Sequence, residues 1–483
     1  MDDDQVPRPA PPRSPSRWPR PLAPLEKFAA KLRELSAAVG FQLVSIVSMA
    51  VIFPITTQAL EPSGYGEYTT LYVIAGFAIS FVYASGSAAI VQLVLQRRRT
   101  TLSVHHRGRI QVMVLAAPFA VIGSLASIVL FGPQIALAAV IVFGSDLILA
   151  GLAEVNLAVI FAVRGVSRAT AIRLVLPVLR AAGTVALAVT GSVTIVNLVI
   201  VNSLATVVML VASTLAVRRE LAAAREAGSA RASSDPARPT TPDGAVEAHD
   251  GASDPDPRED TTGRELARLT GVYVASISAN TTQDQGERLV LASLRPRAEL
   301  GEYAAAYRLV DLVLLPLSAL NVVATRWVLP ETSRRGVHVD RARRMSIPVA
   351  AYCLVAGAVV VLARPVVRLI IGEEFDLALE MVVWLSGFPL LRALADIPAI
   401  GLIGLGRNAA RMWLGISGAV FALASYLVLI PWIEWRGAVV GTYLSEAATL
   451  IGGWILLMRF QARADREDDA AGQPASGSAE TVT

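Results

Sequence analysis

Several charged and amide side chains lie inside stretches of the sequence that are otherwise apolar. These side chains are the best candidates for binding a ligand. An arginine at such a position keeps its charge in a poor dielectric, and its planar fork matches the oxygens of a phosphate group. A neighbouring carboxylate or amide could orient the arginine or bind a coupling cation. The candidate binding residues are Arg180, Arg308, Arg392, Gln283, Asp284, Glu287, Asp311 and Asp396.

The same residues also have a structural interpretation, because buried charges are usually paired with one another. Arg392 and Asp396 are four residues apart, so they can pair on one helical face. Arg173 and Arg180 are seven apart and share a face as well. Arg173 and Arg326 are predicted to reach a membrane interface. For Arg392 and Asp396 the sequence leaves binding and pairing equally open.

Signatures of enzymatic or metal chemistry are missing from the sequence. The single cysteine, Cys353, lies in an apolar run, which excludes an intrachain disulfide and a thiolate metal cluster. The four histidines, His105, His106, His249 and His338, stand in polar segments. No Walker A motif for ATP hydrolysis is present. We therefore predict that the protein is not an enzyme and has no cofactor and no metal site.

The elements that carry the candidate residues are long apolar segments. The chain is 54% hydrophobic and only 17% charged, whereas soluble globular proteins carry about 25% charge. Apolar stretches long enough to cross a membrane as helices recur along it. Numbered 1 to 12 in chain order, the predicted spans are 36–59, 70–95, 110–131, 134–162, 169–190, 194–216, 266–294, 303–329, 346–371, 378–404, 408–431 and 437–458.

Basic residues are distributed unevenly between the loops that join these spans. With the N-terminus inside, 33 lysines and arginines fall in inner segments and three fall in outer loops. This bias predicts that both termini are cytoplasmic. It also accounts for the net charge of +4 without a nucleic-acid partner, and membrane lipids are the predicted surroundings.

The composition changes sharply in the middle of the chain and at its ends. The segment between spans 6 and 7 is rich in Ala, Ser, Pro and Asp and has no apolar periodicity, which is typical of disorder. The predicted organisation is a disordered cytoplasmic N-terminus (1–35), a six-helix bundle (36–217), a disordered cytoplasmic linker (218–263), a second six-helix bundle (264–459) and a disordered cytoplasmic tail (460–483).

A short motif recurs in the two predicted bundles. Gly66 opens G-E-Y-T-T-L-Y and Gly301 opens G-E-Y-A-A-A-Y, each at the outer end of the second span of its bundle. Two six-helix halves in the same orientation are the parallel-repeat arrangement of many transporters, in which the substrate path lies between the halves. We interpret the motif as structural. Its glycine would permit the turn out of the first span, and its tyrosines would suit the membrane interface.

Three segments carry a resemblance to a known family. They are A-L-E-P-S-G-Y-G-E-Y at 59–68, L-G-E-Y-A-A-A-Y-R-L at 300–309 and W-R-G-A-V-V-G-T-Y at 435–443. They resemble the polysaccharide-biosynthesis (O-antigen flippase-type) branch of the multidrug/oligosaccharidyl-lipid/polysaccharide (MOP) exporter superfamily. The resemblance covers most of residues 36–458. It implies an all-α polytopic membrane protein with a MATE/MOP-like fold of about twelve transmembrane helices.

The resemblance also implies a function and a partner. The expected function is that of a flippase, which moves a lipid-linked oligosaccharide across the plasma membrane by alternating access. The substrate would be an isoprenoid diphosphate carrying sugars, which cannot cross about 30 Å of hydrocarbon unaided. A coupling cation is a further expected partner. One alternative is a cation-coupled multidrug or small-solute antiporter of the same superfamily, and another is an integral-membrane polysaccharide polymerase or glycosyltransferase.

Overall fold

The fold is built from long helices. The computed structural model describes residues 23–96, 101–233, 257–328 and 337–472. These ranges contain helices and short connections and no β-strand. The α-helices are α1 (Ala23–Ile79), α2 (Ser85–Gln96), α3 (Thr101–Phe131), α4 (Ala136–Val142), α5 (Ala150–Arg164), α6 (Val166–Arg173), α7 (Val175–Val189), α8 (Ile195–Ser233), α9 (Pro257–Leu294), α10 (Arg297–Val328), α11 (Val337–Leu362), α12 (Arg364–Ile371), α13 (Asp376–Leu385), α14 (Phe388–Gly404), α15 (Asn408–Ile433) and α16 (Trp435–Gly472).

Within the described ranges these helices form the two predicted six-helix bundles. Spans 1 and 2 share α1, which bends at Glu61 (φ 56°, ψ 172°). A π-helical turn at Ser80–Ala84 continues span 2 into α2, and a second one at Phe143–Leu149 joins α4 to α5 in span 4. Span 5 contains α6 and α7, and span 10 contains α13 and α14. The prediction of a polytopic all-α protein with about twelve spans is confirmed.

Length and composition identify most of these helices as able to cross a membrane. Eight stretches of the described residues meet both requirements, and the pair α13 and α14, bent by 42°, gives a ninth. One of the eight, Gly40–Tyr83, is 44 residues long and contains both arms of α1. The more polar α9 is outside this set, because it carries the run 280–285 followed by Glu287 and Arg288.

Apolar side chains fill the interior of each bundle and also cover its outside. Phe143 and Leu93 are fully buried in the first bundle, as are Phe375 and Leu385 in the second. On the outside, Trp432 is 85% exposed, and it is one of many exposed large apolar side chains. Soluble monomers rarely expose so much apolar surface, whereas lipid tails solvate it. The chain is a multi-pass membrane protein.

Some of the residues that were predicted to be disordered are helical in the structure. α8 continues to Ser233 and α9 begins at Pro257, so both ends of the predicted linker are helical. Likewise, α16 continues to Gly472 through the first part of the predicted tail. These extensions are rich in Ala, Arg and Glu, which are good helix formers. Gln461 also donates to Asp465 one turn later, at 2.8 Å.

The same correction applies at the beginning of the chain, where α1 already starts at Ala23. The remaining predicted disorder, at 1–22, 234–256 and 473–483, lies outside the described residues. Span 9 differs too, because α11 ends at Leu362 and the separate helix α12 follows. Pro365 stands in the first turn of α12, where its missing N–H prevents continuation of the preceding helix.

The two G-E-Y segments lie against each other where the halves cross. A Cβ added to Gly301 would overlap the carbonyl oxygen of Pro62, and one added to Gly66 would overlap the carbonyl oxygen of Arg297. The predicted role of Gly66 in the turn is wrong, since the turn lies at Glu61. Both glycines instead allow close approach of two helix backbones. Loop charge predicts that this end of the molecule faces outside, and we call it the outer end.

Candidate binding cavity

A cavity of about 650 Å³ lies between the two halves, below the crossing of the G-E-Y segments. Its walls come from both arms of α1 and from α5, α6, α7 and α8 on the first half, and from α9 and α10 on the second. Aromatic, polar and charged side chains are mixed on these walls. The charged lining residues are Arg173, Arg180, Arg288, Arg308, Glu154 and Asp311.

Arg180 lies near the middle of span 5 and is only partly engaged. Its Nη2 is 3.4 Å from Oδ1 of Asp146, which is buried behind the cavity wall and also accepts from Thr206 at 3.2 Å. The Arg180 Nε has no hydrogen-bond partner among the described residues. The side chain is 28% exposed. The Nε atom is buried, so an anionic ligand would meet the exposed part of this guanidinium, which makes only one long ion pair.

The second half contributes two further arginines to the same cavity. Arg288 stacks over the ring of Tyr307 at 4.4 Å, and its Nη2 donates to the carbonyl oxygen of Asp284 at 3.0 Å. Arg308 is exposed to the cavity, and it makes no ion pair with a carboxylate in the described part of the chain. Arg288 also pairs with Glu287 at 3.5 Å, so Arg308 is the lining arginine of the second half whose charge no carboxylate of the described residues pairs.

Arg173, predicted to reach the interface, instead lines the cavity and pairs with Glu154 from α5. Sequence reasoning also left Arg288 outside the candidate residues. Its signal was present in α9, where Arg288 follows Asp284 by one helical turn. The side chain of Arg326 lies outside the described residues.

The remaining candidates gather in a different place. A small void of about 50 Å³ in the second half is lined by Gln283, Arg392, Asp396 and Glu446, among others. Arg392 pairs with Asp284 at 2.5 Å and with Glu446 at 2.7 Å. The predicted proximity of Arg392 and Asp396 is present, since both line this void.

The predicted set thus divides into two groups. Arg180, Arg308 and Asp311 line the large cavity, whereas Arg392, Gln283 and Asp396 line the void. Asp284 and Glu287 connect the two through Arg288, which contacts both of them. Across the described residues, no group of three or more His, Cys, Asp or Glu side chains could hold a metal ion.

At the outer end the two halves make a set of contacts, which we call the outer seal. Arg297 of α10 pairs with Glu67 of α1 and donates to the carbonyl oxygen of Phe131 at 3.1 Å. Gln58 of α1 donates to the carbonyl oxygen of Ile370 in α12 at 2.8 Å. Together with the glycine crossing, these contacts join the two halves on the side opposite to the predicted cytoplasmic loops.

Comparison with known proteins identifies the architecture. No protein-family model and no curated protein matches the sequence. Solved structures match it over most of its length. The inward-facing conformation of a multidrug resistance MATE family transporter of the MOP superfamily aligns with a TM-score of 0.65 and 14% identity, over 90% of this chain and 99% of that one. The fold is that of a MATE-like transporter.

Two other similar structures extend this comparison. The outward-facing conformation of a multidrug resistance MATE family transporter has a TM-score of 0.56 and 14% identity, over 89% of this chain and 97% of that one. A MOP superfamily transporter from Pyrococcus furiosus has a TM-score of 0.56 and 12% identity, with the same coverage.

Proposed function

We propose that this protein is a transporter that carries a lipid-linked oligosaccharide, an isoprenoid diphosphate bearing sugars, across the cytoplasmic membrane by alternating access. The observation that carries the proposal is the cavity lining, where four arginines face two carboxylates and Arg308 makes no ion pair in the described part of the chain. Asp146 and Glu287 pair with two of these arginines from outside the lining. The MATE-like fold, which has inward-facing and outward-facing neighbours, supports alternating access.

The placement of the arginines suits a diphosphate. Arg180 projects from the first half, while Arg288 and Arg308 project from the second, so one anionic group could contact both halves at once. Charge-assisted hydrogen bonds from arginine to phosphate are among the stronger polar contacts in proteins. The isoprenoid tail would remain in the bilayer while the headgroup occupies the cavity.

Cavity polarity, and not the fold, separates this proposal from its main alternative. A multidrug antiporter for cationic compounds needs an acidic cavity, because opposite charges attract across a poor dielectric. For the Pyrococcus furiosus neighbour, a reverse polarity of the binding pocket is reported to suggest a different function. Polarity therefore differs among proteins with this fold. The excess of arginine on these walls favours an anionic headgroup.

The test is a binding measurement on the purified full-length protein in lipid nanodiscs. A polyprenyl diphosphate disaccharide and a lipophilic cation, tetraphenylphosphonium, serve as opposite probes. We expect the wild-type protein to bind the anionic lipid, and Arg180→Gln and Arg308→Gln each to weaken binding about 10- to 100-fold, because a hydrogen bond to a charged group contributes ~1.5–3 kcal/mol.

Arg436→Gln is the matched control. Arg436 pairs with Glu380 at 3.0 Å and does not line the cavity, so its removal should leave binding unchanged. Tight binding of tetraphenylphosphonium that increases in Arg180→Gln, without binding of the diphosphate lipid, would replace the proposal with the antiporter.

A further inference from the structure

The two copies of the G-E-Y motif place their tyrosines in different surroundings. In the second half, Tyr303 is 0% exposed and Tyr307 is 2% exposed, and both belong to the apolar core. In the first half, Tyr68 and Tyr72 occupy the equivalent positions, but they are partly exposed and line the cavity. The repeat alone therefore does not explain why Tyr68 and Tyr72 line the cavity.

The buried side-chain amide of Asn202 holds the hydroxyl groups of Tyr68 and Tyr72. Asn202 of α8 donates from its Nδ2 to the hydroxyl oxygen of Tyr68 at 3.2 Å and to that of Tyr72 at 2.6 Å. The two rings meet edge to face, with centroids 5.0 Å apart. Because both phenol oxygens accept from the amide, each hydroxyl hydrogen remains available to donate to a ligand.

This group lies beside the anion-binding arginine. The hydroxyl of Thr206 is 3.0 Å from the carbonyl oxygen of Asn202 and 3.2 Å from Oδ1 of Asp146. Asp146 is in turn the ion-pair partner of Arg180. A headgroup whose charged part contacts Arg180 would therefore place its next chemical group near Tyr68 and Tyr72.

The chemistry of the group matches an uncharged ring that carries several hydroxyls. Aromatic rings offer an apolar surface to the C–H face of a sugar, and tyrosine adds a hydroxyl donor at its edge. A few placed polar groups on a mainly apolar wall are what give a small-molecule site its specificity. An organic cation fits less well here, because the Arg180 guanidinium is close by.

We propose that Tyr68, Tyr72 and Asn202 form a sugar subsite that selects glycosylated lipid over the bare isoprenoid diphosphate. This inference rests on the proposed function, since it assigns the neighbouring part of the same headgroup. The arginines would bind the charge common to all such lipids. The sugar subsite would determine which of them the protein accepts.

The experiment compares two probes on the purified full-length protein in nanodiscs, polyprenyl diphosphate and polyprenyl diphosphate N-acetylglucosamine. The variants are Tyr68→Phe, Tyr72→Phe and the double variant, which keep both rings and remove only the hydroxyls. We expect each hydroxyl to contribute about 2- to 10-fold to the preference for the glycosylated probe. The affinity for the bare diphosphate should stay unchanged.

Tyr303→Phe is the matched control, because it changes the equivalent repeat position away from the cavity. The melting temperature of each variant shows whether it is folded, and the single variants serve if the double variant is unstable. An unchanged preference in the folded variants, or equal binding of both probes by the wild-type protein, would overturn the subsite and leave the transporter proposal standing. Failure of the wild-type protein to bind either probe would remove both.

Discussion

The two halves of the molecule share a motif and a topology, yet they use their buried arginines differently. Arg180 in the first half has one carboxylate partner, Asp146, at 3.4 Å, and a donor atom without a partner among the described residues. Arg392 in the second half has two carboxylate partners, Asp284 at 2.5 Å and Glu446 at 2.7 Å.

This difference distinguishes an arginine that can bind a ligand from one that holds helices together through ion pairs. An arginine whose donors are occupied by carboxylates holds helices together, and a ligand could reach it only by displacing a partner. An arginine that makes one long ion pair and is partly exposed to a cavity of about 650 Å³ can accept an anion without displacing a second carboxylate.

The largest expected effect on stability comes from substitution of Arg392. Arg392→Gln leaves Glu446, which is 2% exposed, without its cation, and it also unpairs the more accessible Asp284. Removing one partner of a buried ion pair costs about 3–5 kcal/mol, and the exposure of Asp284 places this case near the lower limit. We expect a large fall in the melting temperature of the purified protein.

The comparison predicts a smaller fall for Arg180→Gln, because Thr206 still donates to Asp146 and the lost ion pair is longer. Thermal unfolding of both variants under the same conditions measures the difference. If Arg180→Gln lost as much stability as Arg392→Gln, the two arginines would have the same structural role.

A second prediction concerns the close contact between the glycines of the two G-E-Y segments. Gly301→Ala adds a Cβ that would overlap the carbonyl oxygen of Pro62, so one of the two helix backbones must shift. Overpacking of this kind costs about 1–3 kcal/mol. Gly271→Ala in α9 is the control, since a Cβ there meets nothing within 4 Å. A melting temperature for Gly301→Ala equal to that of the control would mean that the halves do not cross closely at this point.

The smallest predicted effect tests the outer seal. Glu67→Gln removes the ion pair with Arg297, which is 43% exposed, so the seal weakens by about 1 kcal/mol or less. Glu302→Gln is the matched change in the other half, where the carboxylate accepts from Ala378 N within its own half.

Distances between spin labels report the effect. With Cys353 replaced by serine, labels at the exposed positions Thr190 and Glu374 would span the outer end. We expect Glu67→Gln to increase the population with a separated outer end by up to about fivefold. We expect Glu302→Gln to leave that population unchanged, and an equal shift in both variants would remove the Glu67–Arg297 pair from the seal.

Much of the fold was predictable from the sequence, because lipid imposes length and charge rules on each span separately. The twelve apolar segments follow from local composition, and the parallel repeat follows from a motif that occurs in both halves. Which side of each helix faces protein was not predictable. In a membrane both the lipid-facing and the buried side are apolar, so the periodicity that identifies a core face in soluble helices is lost.

The candidate site was predictable only in its residue types. Arg180 and Arg392 look alike in sequence, and the number of carboxylates around each depends on helices distant in the chain. The tyrosines of the motif show the same limit. Tyr72 and Tyr307 occupy equivalent repeat positions. Tyr72 lines the cavity and accepts a hydrogen bond from Asn202, whereas Tyr307 is buried in the core, and the motif does not show this difference.

The contact between Gly66 and Gly301 has a mechanical consequence. Two helix backbones that touch at one end cannot be pushed closer there, so the contact acts as a fulcrum for the halves. A helix of about 20 residues below it is a lever of ~30 Å, and a rotation of about 10° therefore moves its far end by ~5 Å, close to one helical pitch. A small rotation about the outer end would therefore produce a much larger displacement at the opposite end of the molecule.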